Sequence, residues 1–191
     1  MKDLKLLASM LLAVVVLLNV TNCQSRQDTK EAVKNSQVSF KKQEGVRFKQ
    51  ELESLNKTNK VPVQIPDNPR IVYATEQDVL ELENGIVLFG WPSCPWFRNA
   101  ITPLLEFAQE EKAAIYYLNI HDVLNPYTAV GIDSIKRISS PTVLFIEKGK
   151  GVHKVVSTVV SQTDPKIKLD STQRKELKQR YRAYFLDEHI I

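Results

Sequence analysis

Phe89-Gly90-Trp91-Pro92-Ser93-Cys94-Pro95-Trp96-Phe97-Arg98 is the stretch from which the rest of the chain is read. It continues the apolar run Ile86-Val87-Leu88-Phe89, which fits a buried strand. It also opens a helical pattern in which Phe97, Ile101, Leu104, Leu105 and Ala108 share one face. Cys94 therefore falls at a strand-to-helix turn. Pro95 suits the first helical position, where a missing N–H costs nothing. A helix N-terminus offers free backbone donors and a partial positive charge, which favour a thiolate, so an exposed, activated thiol is expected at Cys94. A second cysteine of the usual dithiol spacing would stand at position 97, which is Phe97. Cys94 cannot close a disulfide there.

The chain has 191 residues and 43% hydrophobic content, enough for one domain with a core plus additional segments. A formal charge of +4, with basic and acidic residues interspersed, does not indicate a nucleic-acid partner. Cys23 and Cys94 are the only cysteines, and His121, His153 and His189 are scattered. Neither a disulfide framework nor metal-ligand spacing is present, and no metal or cofactor is expected.

At the N-terminus, Lys2 and Lys5 precede an apolar run from Leu6 to Val20. That run is short for a membrane span and suits a secretory signal. Residues 24–60 are polar and charged, and are read as a tether that cannot order itself fully. Within it Phe48, Leu52 and Leu55 allow a short helix, weakened by Gly45. Pro62, Pro66 and Pro69 mark an extended approach to the domain. The expected organisation is a signal over 1–22, a linker over 23–66 and a folded domain over 67–191.

Within that domain, Ile71–Tyr73 reads as a strand, and Thr75 with Asp78 as a capping box for a helix that Asn84-Gly85 stops. Pro103 is expected to kink the helix that begins after Cys94. Strands follow over 115–120, 142–146 and 152–160, the last two as a hairpin, with a helical or irregular segment over 122–136. A last helix from Ser171 carries Leu177, Tyr181, Tyr184 and Phe185 on one face. Its Arg174, Lys175, Lys178, Arg180 and Arg182 suggest a solvated face, or alternatively one that rests on anionic lipid.

The order of elements, the strand-Cys-Pro-helix turn and Pro141-Thr142 before a hairpin resemble thioredoxin from about Val72 onward. More narrowly, Asp67-Asn68-Pro69, Val72-Tyr73-Ala74-Thr75, Phe89-Gly90, Cys94-Pro95-Trp96, Ile115-Tyr116-Tyr117 and Thr158-Val159-Val160-Ser161-Gln162 are similar to bacterial thioredoxin-like lipoproteins, which typically read Cys-Pro-Trp-Cys. The ending Leu18-Asn19-Val20-Thr21-Asn22-Cys23 resembles a lipobox, although Asn22 departs from the usual small residue. That resemblance implies lipidation at Cys23 and a domain anchored to the extracytoplasmic face of a cell membrane.

The resemblance implies an α/β, thioredoxin-like three-layer fold with a central mixed sheet. It carries the attacking role onto Cys94 and gives the resolving role no occupant. It implies a cis bond at Ser140-Pro141 facing the thiol, and substrate contacts from Trp91, Pro95, Trp96, Ser140, Pro141 and Thr142. Leu88 stands where thioredoxin has a buried acid, and Lys136 to Ser140 lengthen the approach to Pro141 relative to the family pattern. The partners implied are thiols or disulfides of secreted or surface proteins, together with a redox partner supplying the resolving thiol. Two functions follow: single-thiol exchange through Cys94, or a redox-inactive module that binds an extended peptide or protein.

Overall fold

The computed structural model describes residues 42–122, 138–147 and 151–186. The signal, Cys23, the tether as far as Lys41, most of the 122–136 segment and the Lys148–Lys150 turn lie outside the described residues.

Five strands form one sheet: β1 (Ile71–Tyr73), β2 (Asn84–Gly90), β3 (Ile115–Asn119), β4 (Thr142–Glu147) and β5 (Gly151–Val156). Their order is β1-β3-β2-β4-β5. β1 and β2 each run parallel to β3, β4 is antiparallel to β2, and β5 is antiparallel to β4. The described helices are one over 42–54, α1, then α2 (Glu76–Glu81), α3 (Pro95–Glu110) and α4 (Ser171–Leu186). This strand order, with these directions and helices on both faces, is a thioredoxin-like α/β fold.

The pleat sorts each central strand between two cores, because successive side chains point to opposite faces. Ile86, Leu88, Val143, Phe145, Ile115 and Tyr117 join one cluster with residues of α1, α3 and α4. Val87, Phe89, Leu144, Ile146 and Leu118 join the other with Val79 of α2. The sheet is thus covered on both sides, and the apolar runs seen in the sequence are strands buried on both faces.

Local signals account for several boundaries. Thr75 caps α2 in a reciprocal box: its Oγ1 accepts from Asp78 N at 3.2 Å, and its own N–H donates to Asp78 Oδ2 at 2.7 Å. Asn84-Gly85 is part of β2, paired with Glu147 and Ile146, and does not stop α2, which ends at Glu81. α3 is continuous through a buried Pro103. β5 ends at Val156, short of the expected 160: Ser157 still gives its N–H to its register partner Pro141 O at 2.9 Å, but proline has no N–H to return and Ser157 turns to φ 64.

The largest correction concerns the linker. Residues 42–66 were expected outside the domain, yet they contribute Phe48, Leu52, Val63 and Ile65 to its main core. Phe48 meets Tyr73 and Tyr117 edge to face, with ring centroids 6.3 and 5.1 Å apart. Tyr73 Oη donates to Glu51 at 2.6 Å, and burial followed by that hydrogen bond drives the Tyr73 hydroxyl well above its ordinary range. Gly45, read as a weak point, is a point of close approach: a Cβ there would lie 2.7 Å from Pro69 O. In the extended stretch that follows, Val61, Val63 and Ile65 are buried while Pro62 and Gln64 face out. The segment reads as too polar to order because most of its few apolar residues, Phe48, Leu52, Val61, Val63 and Ile65, are spent on the buried side, while Val46 is exposed.

The basic residues of α4 have a partner of their own. Arg174, Lys178 and Arg182 pair with Glu106 and Glu110 of α3 and with Glu111 at its C-cap. The Lys178 hydrogen bond holds the Glu110 carboxyl below its ordinary value. Much of the charge that suggested a lipid-facing helix is therefore matched inside the protein.

Because α1 belongs to the domain core, Phe48→Ala and Leu52→Ala should each cost about 2–5 kcal/mol of unfolding free energy. Urea denaturation followed by far-UV circular dichroism measures this, and a mere tether would leave the midpoint where it is.

Candidate functional site

Cys94 is the N-cap of α3, in extended conformation, with Pro95 opening the first turn. The four residues Trp91–Cys94 form a closed turn in which Cys94 N–H donates to Trp91 O at 3.1 Å. Across from it the Ser140-Pro141 peptide is cis. The Cys94 thiol donates to Ser140 O at 3.5 Å, and Trp91 N–H donates to Ser140 Oγ at 3.3 Å. Two segments distant in sequence thus meet at the sulfur.

The thiol is not exposed as expected. Cys94 is only 5% accessible and belongs to the main core cluster, with Trp91 and Trp96 partly buried against that cluster. Pro95 and Ser140 are half-buried, whereas Pro141 is buried. Thr142 is a poor substrate contact: it is fully buried, and its Oγ1 donates to Ser139 O at 2.8 Å while accepting from Ser139 N at 3.2 Å. Its hydroxyl is used to shape the loop before Pro141. Beside Trp91 lies His121, with ring centroids 4.8 Å apart.

Phe97, three residues after Cys94, is fully buried. Its ring stands where a side chain at position 90 would be: a Cβ on Gly90 would lie 2.2 Å from Phe97 Cδ2 and 2.9 Å from Ser140 Oγ. The end of β2 must therefore be glycine for the aromatic ring to fit. Phe97 also packs against Tyr117, with centroids 5.9 Å apart. Burial holds the Tyr117 phenol well above its ordinary range, so it stays neutral. Leu88 is buried in the same apolar cluster.

Three polar residues that sequence reasoning passed over organise the site. Arg98 is 1% accessible, and its guanidinium donates to four neutral oxygens. Nε donates to Val61 O at 2.6 Å, Nη1 to Leu52 O at 3.0 Å and to Pro92 O at 3.1 Å, and Nη2 to Asn56 Oδ1. Burial pushes this guanidinium below its ordinary value. Asn99, also buried, donates to Pro95 O and Pro165 O and accepts from Leu169 N, which fastens the loop before α4 onto the first turn of α3. Asn59 Nδ2 donates to Ser93 O at 2.9 Å. One signal was available: Arg98 precedes Ile101 by three residues and Leu105 by seven, a charge on the edge of the apolar face.

A cleft of about 410 Å³ lies between the 61–67 segment and α3, with Arg98, Asn99, Lys168 and Leu169 among its lining residues. Cys94 does not line it. Two of its cations are neutralised within it, Lys49 by Asp67 and Arg174 by Glu106.

No family model and no curated protein matches this chain. Among solved structures it is similar to the J-Trx1 fragment of ERdj5, at 18% identity and a TM-score of 0.41 over 62% of this chain. The match spans about half of that fragment, 51%.

Gly90→Ala should cost about 1–3 kcal/mol through overpacking. Combined with Phe97→Leu it should cost less than the sum of the two single changes, as a double-mutant cycle in urea would register. Strict additivity would mean that the two positions are not in steric contact.

Proposed function

We propose that this protein is a lipid-anchored, extracytoplasmic single-thiol exchange protein. The observation that supports the reading most is a lone thiol at a helix start, opposite the Ser140-Pro141 segment, with a phenylalanine in place of a resolving sulfur. The Cys94 thiolate attacks one sulfur of a substrate disulfide. The Cys94–substrate S–S bond forms, the original S–S bond breaks, and the other substrate sulfur leaves as thiolate. An external thiolate then attacks the substrate-side sulfur of this mixed disulfide. Cys94 leaves as thiolate, and a new disulfide joins the external thiol to the substrate. Trp91, Trp96 and Pro95 supply partly buried contact area beside the sulfur, and Ser140 lies across from it. The anchor at Cys23 keeps this chemistry at the membrane, among thiols and disulfides of secreted or surface proteins.

The burial of Cys94 favours a second reading, in which the same surface holds an extended peptide without redox turnover. The two part on a direct experiment. Incubation with an oxidised cysteine-containing peptide, followed by non-reducing mass spectrometry, should give a Cys94-linked mixed disulfide that persists until external thiol is added. Cys94→Ser should abolish it. Peptide retention by the Cys94→Ser variant with no covalent adduct in the wild type would establish the binding module instead.

A further inference from the structure

The backbone carbonyls of the Trp91–Cys94 turn are all engaged, each by a different donor. Trp91 O accepts from Cys94 N and Cys94 O from Arg98 N. Pro92 O accepts from the Arg98 guanidinium and Ser93 O from Asn59 Nδ2. The last two bonds join the turn to the N-terminal segment, since Arg98 simultaneously holds Leu52 O, Asn56 Oδ1 and Val61 O. Asn56 in turn is fixed at both ends of its amide, donating to Val63 O and accepting from Val63 N. Asn59 is likewise fixed, accepting from Val61 N at 3.0 Å. The turn that carries the sulfur is thus tied to the N-terminal segment through one buried cation and one amide, the Asn59 amide lying 34 residues before Ser93.

We infer that Arg98 and Asn59 are positioning residues that form a latch, by which the N-terminal segment holds the Trp91–Cys94 turn closed and governs access to the Cys94 thiol. Cys94, 5% accessible as a residue, reacts faster when its surroundings open locally. Breaking a hydrogen bond that exists only in the closed form enlarges the open population, and with it the reaction rate. Residues 42–66 then act as a regulatory arm as well as part of the core. A partner that displaced the arm, or bound the 56–63 stretch, would release the thiol. The latch rests on the exchange reading only in taking Cys94 as the group to be gated.

The test is the rate at which iodoacetamide modifies Cys94 in the full-length folded protein at fixed pH. In this probe reaction an S–C bond forms, iodide leaves and the thiol proton passes to buffer. Peptide mass spectrometry separates Cys94 from Cys23. Asn59→Asp keeps the acceptor for Val61 N but loses the donor to Ser93 O, so it should speed modification about 2- to 10-fold, the equivalent of one net hydrogen bond. Arg98→Lys, which cannot span four acceptors, should speed it at least as much. Thr75→Ala removes the α2 cap on the opposite face of the sheet and serves as a control for lowered global stability. It should leave the Cys94 rate at the wild-type value.

An unchanged rate in Asn59→Asp overturns the latch. So does an equal acceleration in Thr75→Ala, because opening would then be global. Should Arg98→Lys fail to fold, Asn59→Asp decides alone. Iodoacetamide needs no substrate disulfide, so a protein that forms no mixed disulfide yet shows this pattern would retain the latch and lose the exchange reading.

Discussion

A guanidinium buried to 1% accessibility and surrounded by neutral oxygens is the interaction on which the arrangement of this domain depends. Desolvating a charge is costly unless hydrogen bonds replace its water, and Arg98 recovers that cost from three carbonyls and one amide. Those acceptors come from the end of α1, the chain after it and the turn before Cys94. None of the three can move away without leaving a buried cation unsatisfied. The fork geometry of arginine is what allows one side chain to hold three segments at once, and a lysine at this position could not.

The neighbours of Arg98 extend the same logic around the start of α3. Phe97 fills the space above Gly90 and meets Tyr117 of β3, while Asn99 fastens the loop that leads to α4. Three consecutive residues thus bind the sheet, the N-terminal arm and the C-terminal loop to one helical turn. Cys94 sits at the head of that turn. Position 97 thus carries a packing group, and its aromatic ring helps hold the turn that carries the Cys94 thiol.

Much of this architecture could be read locally. The apolar run Ile86–Phe89, the capping box of Thr75 with Asp78, the helical face from Phe97 to Ala108 and the hairpin after Pro141 all express short-range rules, and the strands and helices formed accordingly. The misreadings share a cause. Residues 42–66 carry too few apolar groups to order alone, and their membership in the core became apparent only when Phe48 was found against Tyr73 and Tyr117. Asn84-Gly85 resembles a helix stop until β4 pairs with it. Thr142 resembles a substrate contact until its hydroxyl is seen closing on Ser139.

By itself the sequence determined that a buried strand leads into a cysteine at a helix start, and that position 97 holds no second thiol. These follow from rules reaching no further than a few turns of chain. Only the tertiary structure decided that Cys94 is sheltered, that the polar N-terminal stretch from residue 42 onward is part of the core, and that Arg98 is the joint between them. Its hydrogen bonds reach residues 37 and 46 positions away, and the Cys94 thiol meets Ser140 across 46. Local periodicity carries no information at that range, because which buried donor meets which carbonyl is settled by how the elements pack.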